Sequence, residues 1–253
     1  MEATPMQAPE ALRRLYRAVT LLYEDDDLLA VSKPAGLSSV HDPALEDETL
    51  DLHAWLSARY GRLWPVHRLD RETSGVILFA RNAAAHRALN TLFETRAITK
   101  VYHAIVVGTP QWDERTINAP LRADADRKHR TIVDLERGKP AITHVRVLMR
   151  LRHHALVEAQ PETGRTHQIR VHLALVGYPL LADPLYGDGQ PLYLSALKHD
   201  YRRGEAEERP LIARTALHAL RLCFEHPTQG TPLVIEAPYP KDFQAALHQL
   251  GKL

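Results

Sequence analysis

The sequence has very little cysteine and no long apolar run. Cys223 is the single cysteine, which excludes an internal disulfide and a cluster of thiolate metal ligands. No apolar run approaches the roughly 20 residues that a membrane helix needs. The arginine-containing N-terminus leads into a short apolar stretch and then the acidic residues 24–27, a pattern unlike a secretory signal or a transit peptide. We therefore expect a cytoplasmic protein without a membrane partner.

Signatures of cofactor binding are also missing. Neither a Walker A motif nor a Gly-x-Gly-x-x-Gly pattern occurs, so the sequence does not indicate a nucleotide cofactor. His167 and His172 are five positions apart and do not share a helix face, and neither has a carboxylate or thiol at ligand spacing. His153 and His154 are neighbours that would point to opposite faces of a strand. We expect an activity that needs neither a metal nor a cofactor.

Neither sign of charge is in excess. The chain has 32 Lys and Arg against 31 Asp and Glu, a formal net charge of +1, which argues against a protein that binds polyanions over its whole surface. Contact with a nucleic acid would have to come from a local patch. The basic clusters are Arg122, Arg127, Lys128, His129 and Arg130, then Arg150, Arg152, His153 and His154, and then Arg202 and Arg203. The alternative for each is a solvated face, and Asp124 and Asp126 weaken the first cluster.

The composition is that of an ordinary globular protein, with 45% hydrophobic and 25% charged residues over 253 positions. This length suits one large domain or two intimately packed halves. Strands and hairpins outnumber crossover helices, so we predict an α+β fold with a large, mixed, mainly antiparallel sheet flanked by helices and loops. Residues 1–17 are predicted to form a loose N-terminal arm and residues 18–253 a single domain.

Periodicity and turn signals place the elements along this domain. The predicted strands lie around residues 28–31, 63–67, 76–80, 100–107, 142–151, 154–160, 217–224 and 232–237. The predicted helices lie around residues 49–59, 82–95 and 240–250, with one more that follows residue 166 and ends at Gly177. Residues 111–139 are typical of a hairpin or an insertion, residues 183–214 are loop-rich and charged, and the roles of both are open.

Residues 67–75, with the sequence HRLDRETSG, place a carboxylate among cations. Arg68 and Arg71 flank Asp70, and positive neighbours favour the charged form of a carboxyl group. An anionic aspartate in such a setting suits the role of a nucleophile or a base. The commoner fate of an aspartate is a salt bridge in a turn, and these residues alone leave that alternative open.

Residues 163–173, with the sequence TGRTHQIRVHL, predict a helix with Thr166 as its N-cap. Ile169 and Leu173 belong to the buried stripe of this helix, and Arg170 lies at the edge of the stripe. A cation in the first turn is unfavourable beside the helix dipole. Arg170 therefore needs a counter-charge, either a buried carboxylate or a phosphate, unless it extends along the surface.

Residues 100–104, with the sequence KVYHA, alternate as a strand does, with Tyr102 between Val101 and His103. Aromatic residues are common in strands for packing reasons, so Tyr102 alone is a weak signal of function.

Taken together, these segments resemble the RluA-type RNA pseudouridine synthases. The resemblance is carried by residues 33–36 (KPAG), 67–75, 100–102, 164–172 and 217–219 (LHA), whose order and spacing also match. It covers about residues 20–240, nearly the whole chain. It implies the pseudouridine synthase fold, with an active-site cleft across the sheet, and the isomerisation of uridine in RNA without a cofactor or a metal.

The resemblance implies a role for each matched residue. Asp70 would be the catalytic aspartate that attacks the target nucleoside, so that the C–N glycosidic bond breaks and the uracil turns and rejoins the ribose through C5. Tyr102 would stack on the base and remove the C5 proton, and Arg170 would pair with Asp70. Arg68 would enter the space left by the flipped-out base. Support of the pocket would come from Leu217, Arg165 and His167. Attack on the ribose and attack on the base both stay open.

The resemblance also implies a partner. Many relatives carry an S4-like RNA-binding domain before the catalytic domain, whereas residues 33–36 lie near the start of this sequence. We therefore expect a stand-alone catalytic domain, without an S4 domain, that acts as a monomer on a stem-loop of large-subunit rRNA, tRNA or both.

Two other functions are alternatives to this one. An RNA chaperone or assembly factor with the same fold and no essential turnover is the main alternative, although the intact set of Asp70, Tyr102 and Arg170 argues against it. A carboxylate-based glycoside hydrolase would need a second, acid-acting carboxylate, and Glu72 is too close in sequence to Asp70 to serve.

Overall fold

The structure, a computed structural model, describes residues 10–41, 51–127, 129–198, 201 and 207–252. These residues form five helices and twelve strands. In chain order they are α1 (Glu10–Arg17), β1 (Thr20–Glu24), β2 (Leu28–Lys33), α2 (Leu52–Tyr60), β3 (Trp64–Pro65), β4 (Ser74–Ala80), α3 (Ala83–Glu94), β5 (Thr99–Val107), β6 (Glu114–Asn118), β7 (Leu121–Arg122), β8 (Ile132–Val133), β9 (Ile142–Arg150), β10 (His154–Pro161), α4 (Gln168–Leu175), β11 (Leu217–Glu225), β12 (Pro232–Glu236) and α5 (Lys241–Leu250). None of the helices in these ranges has both the length and the apolar composition of a membrane span.

Contacts within the chain define two compact units. The first is Met1–Lys100 with Ala219–Pro238, and the second is Val101–His218 with Tyr239–Leu253. The single domain predicted over residues 18–253 stays a prediction. The first unit contains Arg68 and Asp70, and the second contains Tyr102, Arg165, His167, Arg170 and Leu217.

The first unit follows the strand order β1-β2-β4-β11, with β3 beside β4 and β12 beside β11. The β1–β2, β2–β4, β3–β4 and β11–β12 pairs are antiparallel. Strand β4, with the sequence SGVILFA, is buried at every position, and residues of α3 pack against it. Because β4 is covered on both faces, its sequence is a continuous apolar run and not an alternation. This strand supports the loop that precedes it, residues 66–73.

The second unit follows the order β5-β10-β9-β6, and each neighbouring pair is antiparallel. Helices α4 and α5 cover opposite faces of β5, since Ala104 packs in one cluster with Ile169 of α4 and the next residue, Ile105, packs in another with Phe243 of α5. The helix that carries Arg170 is therefore held by an apolar face against β5 and β10.

The predicted elements are present. Each predicted strand has a counterpart in β2, β3, β4, β5 and β9 to β12, and each predicted helix has one in α2 to α5, so the α+β class is confirmed. The predicted helix start at residue 49 lies outside the described residues; the described helix begins at Leu52, where the Asp51 carboxylate accepts the N–H of Ala54 at 2.8 Å. The strand predicted at 63–67 is reduced to Trp64–Pro65.

The loose arm predicted over residues 1–17 is wrong for its second half. Residues 10–17 form helix α1, and Tyr16 is buried with its ring stacked on Trp55 of α2 at a centroid distance of 5.0 Å. An aromatic anchor at the end of a short helix thus orders this part of the chain. Residues 1–9 lie outside the described residues.

The segment 111–139 is in part a member of the sheet. Strand β6 pairs with β9, and its Ile117 is buried in the same cluster as Val145. Strands β7 and β8 form a separate antiparallel pair. The remaining residues of β6 are exposed, so only one apolar position marked this strand in the sequence.

Acidic neighbours neutralise part of the first predicted basic cluster. Arg130 pairs with Asp126 at 2.6 Å and His129 lies 3.2 Å from Asp124. This local pairing agrees with the weakening that the sequence predicts. Three of the predicted basic residues lie outside the described part of the chain: Lys128, Arg202 and Arg203.

Candidate active site

Asp70 lies in the loop between β3 and β4 of the first unit. The Thr73 N–H donates to the Asp70 carbonyl at 3.0 Å and closes a turn, after which the buried strand β4 begins. Asp70 is half-buried, whereas Arg68 and Arg71 are exposed. The carboxylate is therefore placed at the start of a rigid strand, between two cationic side chains that reach solvent.

The residue before Asp70 is held by Ser39. The Ser39 hydroxyl donates to the Leu69 carbonyl at 2.8 Å and accepts the Leu69 N–H at 3.0 Å. Both side chains are buried, which removes competition from water. The backbone on this side of the aspartate is thus fixed by a side chain 30 residues earlier in the sequence.

The residue after Asp70 is held by the KPAG motif. The buried Lys33 ammonium donates to the carbonyls of Arg71 at 3.1 Å and of Leu37 at 2.7 Å. Gly36 donates its N–H to the Arg71 carbonyl at 2.8 Å and accepts from Arg71 Nε at 3.0 Å. A fully buried lysine is tolerated because carbonyl oxygens solvate its charge. The motif therefore braces the Asp70 loop.

His67 connects the loop to β4 through its ring. Its Nε2 accepts the N–H of Leu78 at 2.9 Å, and the ring stacks on Phe93 at 5.1 Å. Burial of the ring and, secondarily, the charge of Lys100 lower the pKa of His67 to about 3. The ring is therefore neutral at pH 7, as an acceptor must be. Burial and the charge of Arg96 also lower the pKa of Lys100, to about 8.

Arg170 forms a buried bidentate pair in the second unit. Its Nε and Nη2 donate to the two carboxylate oxygens of Asp183 at 2.7 and 2.8 Å, and the two side chains are 5% and 0% exposed. Asp183 Oδ1 also accepts the backbone N–H groups of Leu185 and Tyr186 at 2.9 and 3.2 Å. Asp183 thus supplies a counter-charge of the kind that the position of Arg170 requires. Pairing of Arg170 with Asp70 stays a prediction.

Tyr186 joins Arg170 to the residue that precedes α4. The Arg170 guanidinium lies over the Tyr186 ring at 5.1 Å, and the Tyr186 hydroxyl bonds to His167 Nδ1 at 2.9 Å. The same hydroxyl accepts the N–H of Thr131 at 2.8 Å. Burial raises the pKa of the Tyr186 phenol above its ordinary value, so it stays protonated at pH 7. The guanidinium is thereby fixed in direction and in plane.

The start of α4 differs from the prediction. His167, and not Thr166, precedes the helix; it has a left-handed backbone with φ of 54° and no side-chain cap. The preceding loop is held by Gln168, whose Oε1 accepts from the Thr163 hydroxyl at 2.6 Å and from the Arg165 N–H at 3.1 Å. An internal amide therefore replaces the expected N-cap.

Tyr102 and Leu217 meet in one apolar cluster. Tyr102 of β5 is half-buried and packs against the cluster that contains Leu217 and Ile169 of α4. The second unit therefore brings together Tyr102, the predicted base-stacking residue, Leu217, which is predicted to support the pocket, and the helix that carries Arg170. Arg165 stands apart, exposed, with its Nε donating to the Pro140 carbonyl at 3.2 Å.

The described residues contain no group of three or more His, Cys, Asp or Glu side chains that could hold a metal ion. His172 illustrates the structural use of histidine here. It is buried, with Nδ1 bonded to the Thr143 hydroxyl at 2.9 Å and Nε2 to the Ala119 carbonyl at 3.0 Å. Burial lowers the pKa of His172, so the neutral ring serves as a core hydrogen-bonding group.

Asp183 and Tyr186 were not predicted as site residues. Both lie in residues 183–214, a loop-rich and charged region without a motif. One signal was available, since the cation of Arg170 needed a carboxylate and Asp183 follows it by 13 positions. Ser39 was also missed, because nothing in its local sequence distinguishes it from any other loop serine.

A comparison with protein families gives one match of direct relevance. The family model described as RNA pseudouridylate synthase matches residues 27–175, which is more than half of the chain. The matched range includes Asp70, Tyr102 and Arg170.

Among curated relatives, the chain is 37% identical over 239 residues to the ribosomal large subunit pseudouridine synthase D of Neisseria meningitidis serogroup B, covering 92% of this chain and 61% of that protein. It is 38% identical over 232 residues to the enzyme of the same name from Pseudomonas aeruginosa, covering 88% and 69%. The chain thus spans less than two thirds of the length of the Neisseria relative.

Among solved structures, human RNA pseudouridylate synthase domain containing 4 superposes with a TM-score of 0.71 at 27% identity, covering 95% of both chains. The fold expected from the resemblance is therefore confirmed. On the family match and these relatives, the chain belongs to the RNA pseudouridylate synthase family.

Proposed function

We propose that this protein isomerises specific uridines in structured RNA to pseudouridine, with Asp70 as its nucleophile. Large-subunit rRNA is the first candidate substrate, because relatives 37% and 38% identical are named for it, and tRNA is the second. The observation that carries the proposal is the way the Asp70 loop is held. Five hydrogen bonds from residues 33–39 fix Leu69 and Arg71, the two neighbours of a half-buried carboxylate.

The proposed reaction is a balanced rearrangement. Asp70 attacks the target nucleoside and forms a covalent bond to it, and the bond from C1′ to N1 breaks. The detached uracil then turns, C5 bonds to C1′, and the bond to Asp70 breaks, which releases the carboxylate. Tyr102 removes the proton from C5, and N1 ends with a proton, so no atom is gained or lost. Both ribose and base stay open as the position of attack. The step needs a positioned carboxylate and a base held in place, which are contributions from proximity and orientation.

The target base must leave its stack before Asp70 reaches it. Extrusion costs a few kcal/mol, and stacking on an aromatic ring such as Tyr102 returns about 1–3 kcal/mol. The exposed Arg68 side chain is proposed to fill the space left in the RNA, which offsets more of the cost. The enzyme would act on a loop or bulge, where bases are already partly unstacked. The relatives come from bacteria, where rRNA and tRNA lie in the cytoplasm, so we propose a cytoplasmic location for this protein.

Arg170 is proposed to act on the reacting carboxylate as its cationic partner. Two of the five guanidinium N–H donors bond to Asp183. The remaining donors have a direction set by that pair and by Tyr186, so the cation is positioned before substrate arrives. Preorganised charge of this kind stabilises a transition state without reorganisation.

Release of tritium from C5-tritiated uridine in rRNA and tRNA transcripts tests the proposal. Wild-type protein should release tritium, and Asp70→Asn should lower the rate by more than about 1,000-fold, as the loss of a nucleophile does. Asp26→Asn makes the same chemical change at an exposed carboxylate of the same unit and should keep wild-type activity.

Two outcomes would contradict the proposal. Undiminished release by Asp70→Asn would remove Asp70 from the nucleophile role. Absence of release by wild-type protein, together with full cellular function of Asp70→Asn, would instead favour the RNA chaperone.

A further inference from the structure

A cavity of about 340 Å³ opens in the second unit between strand β7 and the loop before α4. Four of its lining side chains are cationic: Arg122, Arg137, Lys139 and Arg165. None of the lining residues is acidic. The cavity therefore concentrates positive charge on a protein whose formal net charge is only +1.

Little of this charge is neutralised by the protein. Arg122 Nε pairs with Asp134 Oδ2 at 2.6 Å. Within the part of the chain that the structure describes, no ion pair involves Arg137, Lys139 or Arg165. About three positive charges therefore remain for a ligand. A phosphodiester carries one negative charge, so the cavity suits two or more consecutive phosphates better than an isolated one.

The wall of the cavity also offers polar groups and space. Two threonines, Thr131 and Thr166, are among the lining residues, and Thr166 is exposed. An exposed hydroxyl is a ready donor to a phosphate oxygen. A Cβ added to Gly164, which also lines the cavity, would meet no atom within 4 Å, so the backbone there leaves room for a ligand.

The cavity lies one side chain away from Arg170. Thr131 lines it and donates its N–H to the Tyr186 hydroxyl at 2.8 Å. The Arg170 guanidinium lies over the same tyrosine ring at 5.1 Å. A phosphate bound in the cavity would therefore lie close to the arginine assigned to the reaction.

From these observations we propose that the cavity lined by Arg122, Arg137, Lys139 and Arg165 binds the sugar-phosphate backbone of the substrate RNA next to the target nucleotide. The inference rests on the proposed function for the identity of the RNA. The planar guanidinium of an arginine can donate two parallel hydrogen bonds to phosphate oxygens, and the ammonium of a lysine adds a point charge on a flexible side chain. Contacts of this type position the RNA without reading its sequence.

The salt dependence of RNA binding tests the site. Arg137→Gln combined with Lys139→Gln removes two exposed cations of the cavity. The slope of log Kd against log salt should become shallower by about 2, or about 1 for each phosphate contact. Lys139→Gln alone should change it by about 1. The loss of kcat/KM should match the loss of affinity and should be similar for different RNA sequences.

A matched control removes two exposed cations away from the cavity, Arg87 and Lys241. Arg87→Gln with Lys241→Gln should leave the slope and the affinity at their wild-type values. Equal behaviour of the two double variants would overturn the proposal.

Two further arms separate this site from other possibilities. The first is a titration with inorganic phosphate. If wild-type protein binds phosphate at micromolar concentration and the Arg137→Gln, Lys139→Gln variant does not, while the salt dependence of RNA binding is the same for both, the site binds free phosphate. That result would overturn the assignment to RNA. The second is the assay for pseudouridine. If wild-type protein makes no pseudouridine but the cavity variants still change the slope of log Kd against log salt, the cavity binds the RNA backbone and the proposed function is wrong.

Discussion

At the scale of single residues, the pair of Arg170 and Asp183 shows how a cation is kept inside the second unit. A buried charge is costly unless a partner and further hydrogen bonds compensate it. Asp183 provides both, since its carboxylate takes two guanidinium bonds and two backbone N–H groups. Breaking such a pair from one side is expected to affect stability more than breaking a pair on the surface.

Asp183→Asn should lower the free energy of unfolding by about 3 kcal/mol, because it removes the carboxylate from a buried pair. Urea denaturation measures the change. Glu236→Gln, which breaks the exposed pair with Arg221, should cost less than about 1 kcal/mol. If Asp183→Asn remains folded at low temperature, it should lower kcat more than it lowers the affinity for RNA. A stability loss equal to that of Glu236→Gln would contradict the assignment of Asp183.

His67 should make stability depend on pH in mildly acidic solution. The unfolded chain binds a proton at this ring near pH 6.5, and the folded protein does so only near pH 3. The unfolded state therefore holds more protons between these values, so stability is complete above pH 6.5 and falls as the pH is lowered. The contribution to the slope is up to about 1.4 kcal/mol per pH unit.

His67→Gln keeps an acceptor for the Leu78 N–H and cannot titrate, so it should flatten the pH dependence of unfolding over this window. Chemical denaturation at a series of pH values measures the slope. The exposed His248 provides the control, and His248→Gln should keep the wild-type slope. Identical slopes for wild type and His67→Gln would show that the ring does not stay neutral in the fold.

At the scale of elements, Gly75 sets the approach of β4 to β11. Its φ of 119° lies in the left-handed half of conformational space, and a Cβ there would come within 2.0 Å of the Ala219 carbonyl oxygen. Any side chain at this position would strain the backbone and would also clash with the backbone of Ala219. The glycine that ends the HRLDRETSG segment is therefore required by strand packing.

Gly75→Ala should destabilise the protein by about 3 kcal/mol or more, from the sum of backbone strain and overpacking. Thermal and urea unfolding measure the effect. Gly164→Ala is the matched substitution in open space and should change stability by less than about 0.5 kcal/mol. A similar small change at Gly75 would mean that β4 and β11 can separate to make room.

Elements with strong local signals were predictable from the sequence. Strand β4 is an uninterrupted apolar run, and helix α3 begins directly after its N-cap Asn82, whose side chain accepts the Ala85 N–H at 2.9 Å. Helix α1 and strand β6 were not predicted, because each depends on a single buried anchor, Tyr16 or Ile117. An anchor of this kind is recognisable only when its packing partner is known.

At the scale of the whole molecule, the near balance of 32 basic and 31 acidic residues has a definite arrangement. Acidic residues neutralise cations locally, as Asp126 does for Arg130, and leave a surplus where acids are absent. The cavity beside α4 is such a place. Near-neutrality is thus compatible with RNA binding through few phosphate contacts and a modest salt dependence.

The candidate site could be predicted in part from the sequence. Asp70, Tyr102 and Arg170 lie in local sequence motifs, so they could be chosen as candidate site residues from the sequence alone. The groups that hold them lie far along the chain, as with Ser39 and Leu69, which are 30 positions apart, or Arg170 and Asp183, which are 13 apart. Which residues form hydrogen bonds or ion pairs across such separations depends on the folded backbone. These partners therefore cannot be identified from one sequence.

The brace around Asp70 has a consequence for how this protein can diverge. Lys33 holds the loop through the carbonyl oxygens of Pro34, Leu37 and Arg71, and a carbonyl is present whichever amino acid stands there. The side chains around Asp70, the proposed nucleophile, can therefore change while the backbone that positions it stays constant. If the proposed reaction holds, a lineage can acquire a new RNA target and keep Asp70 in the same position.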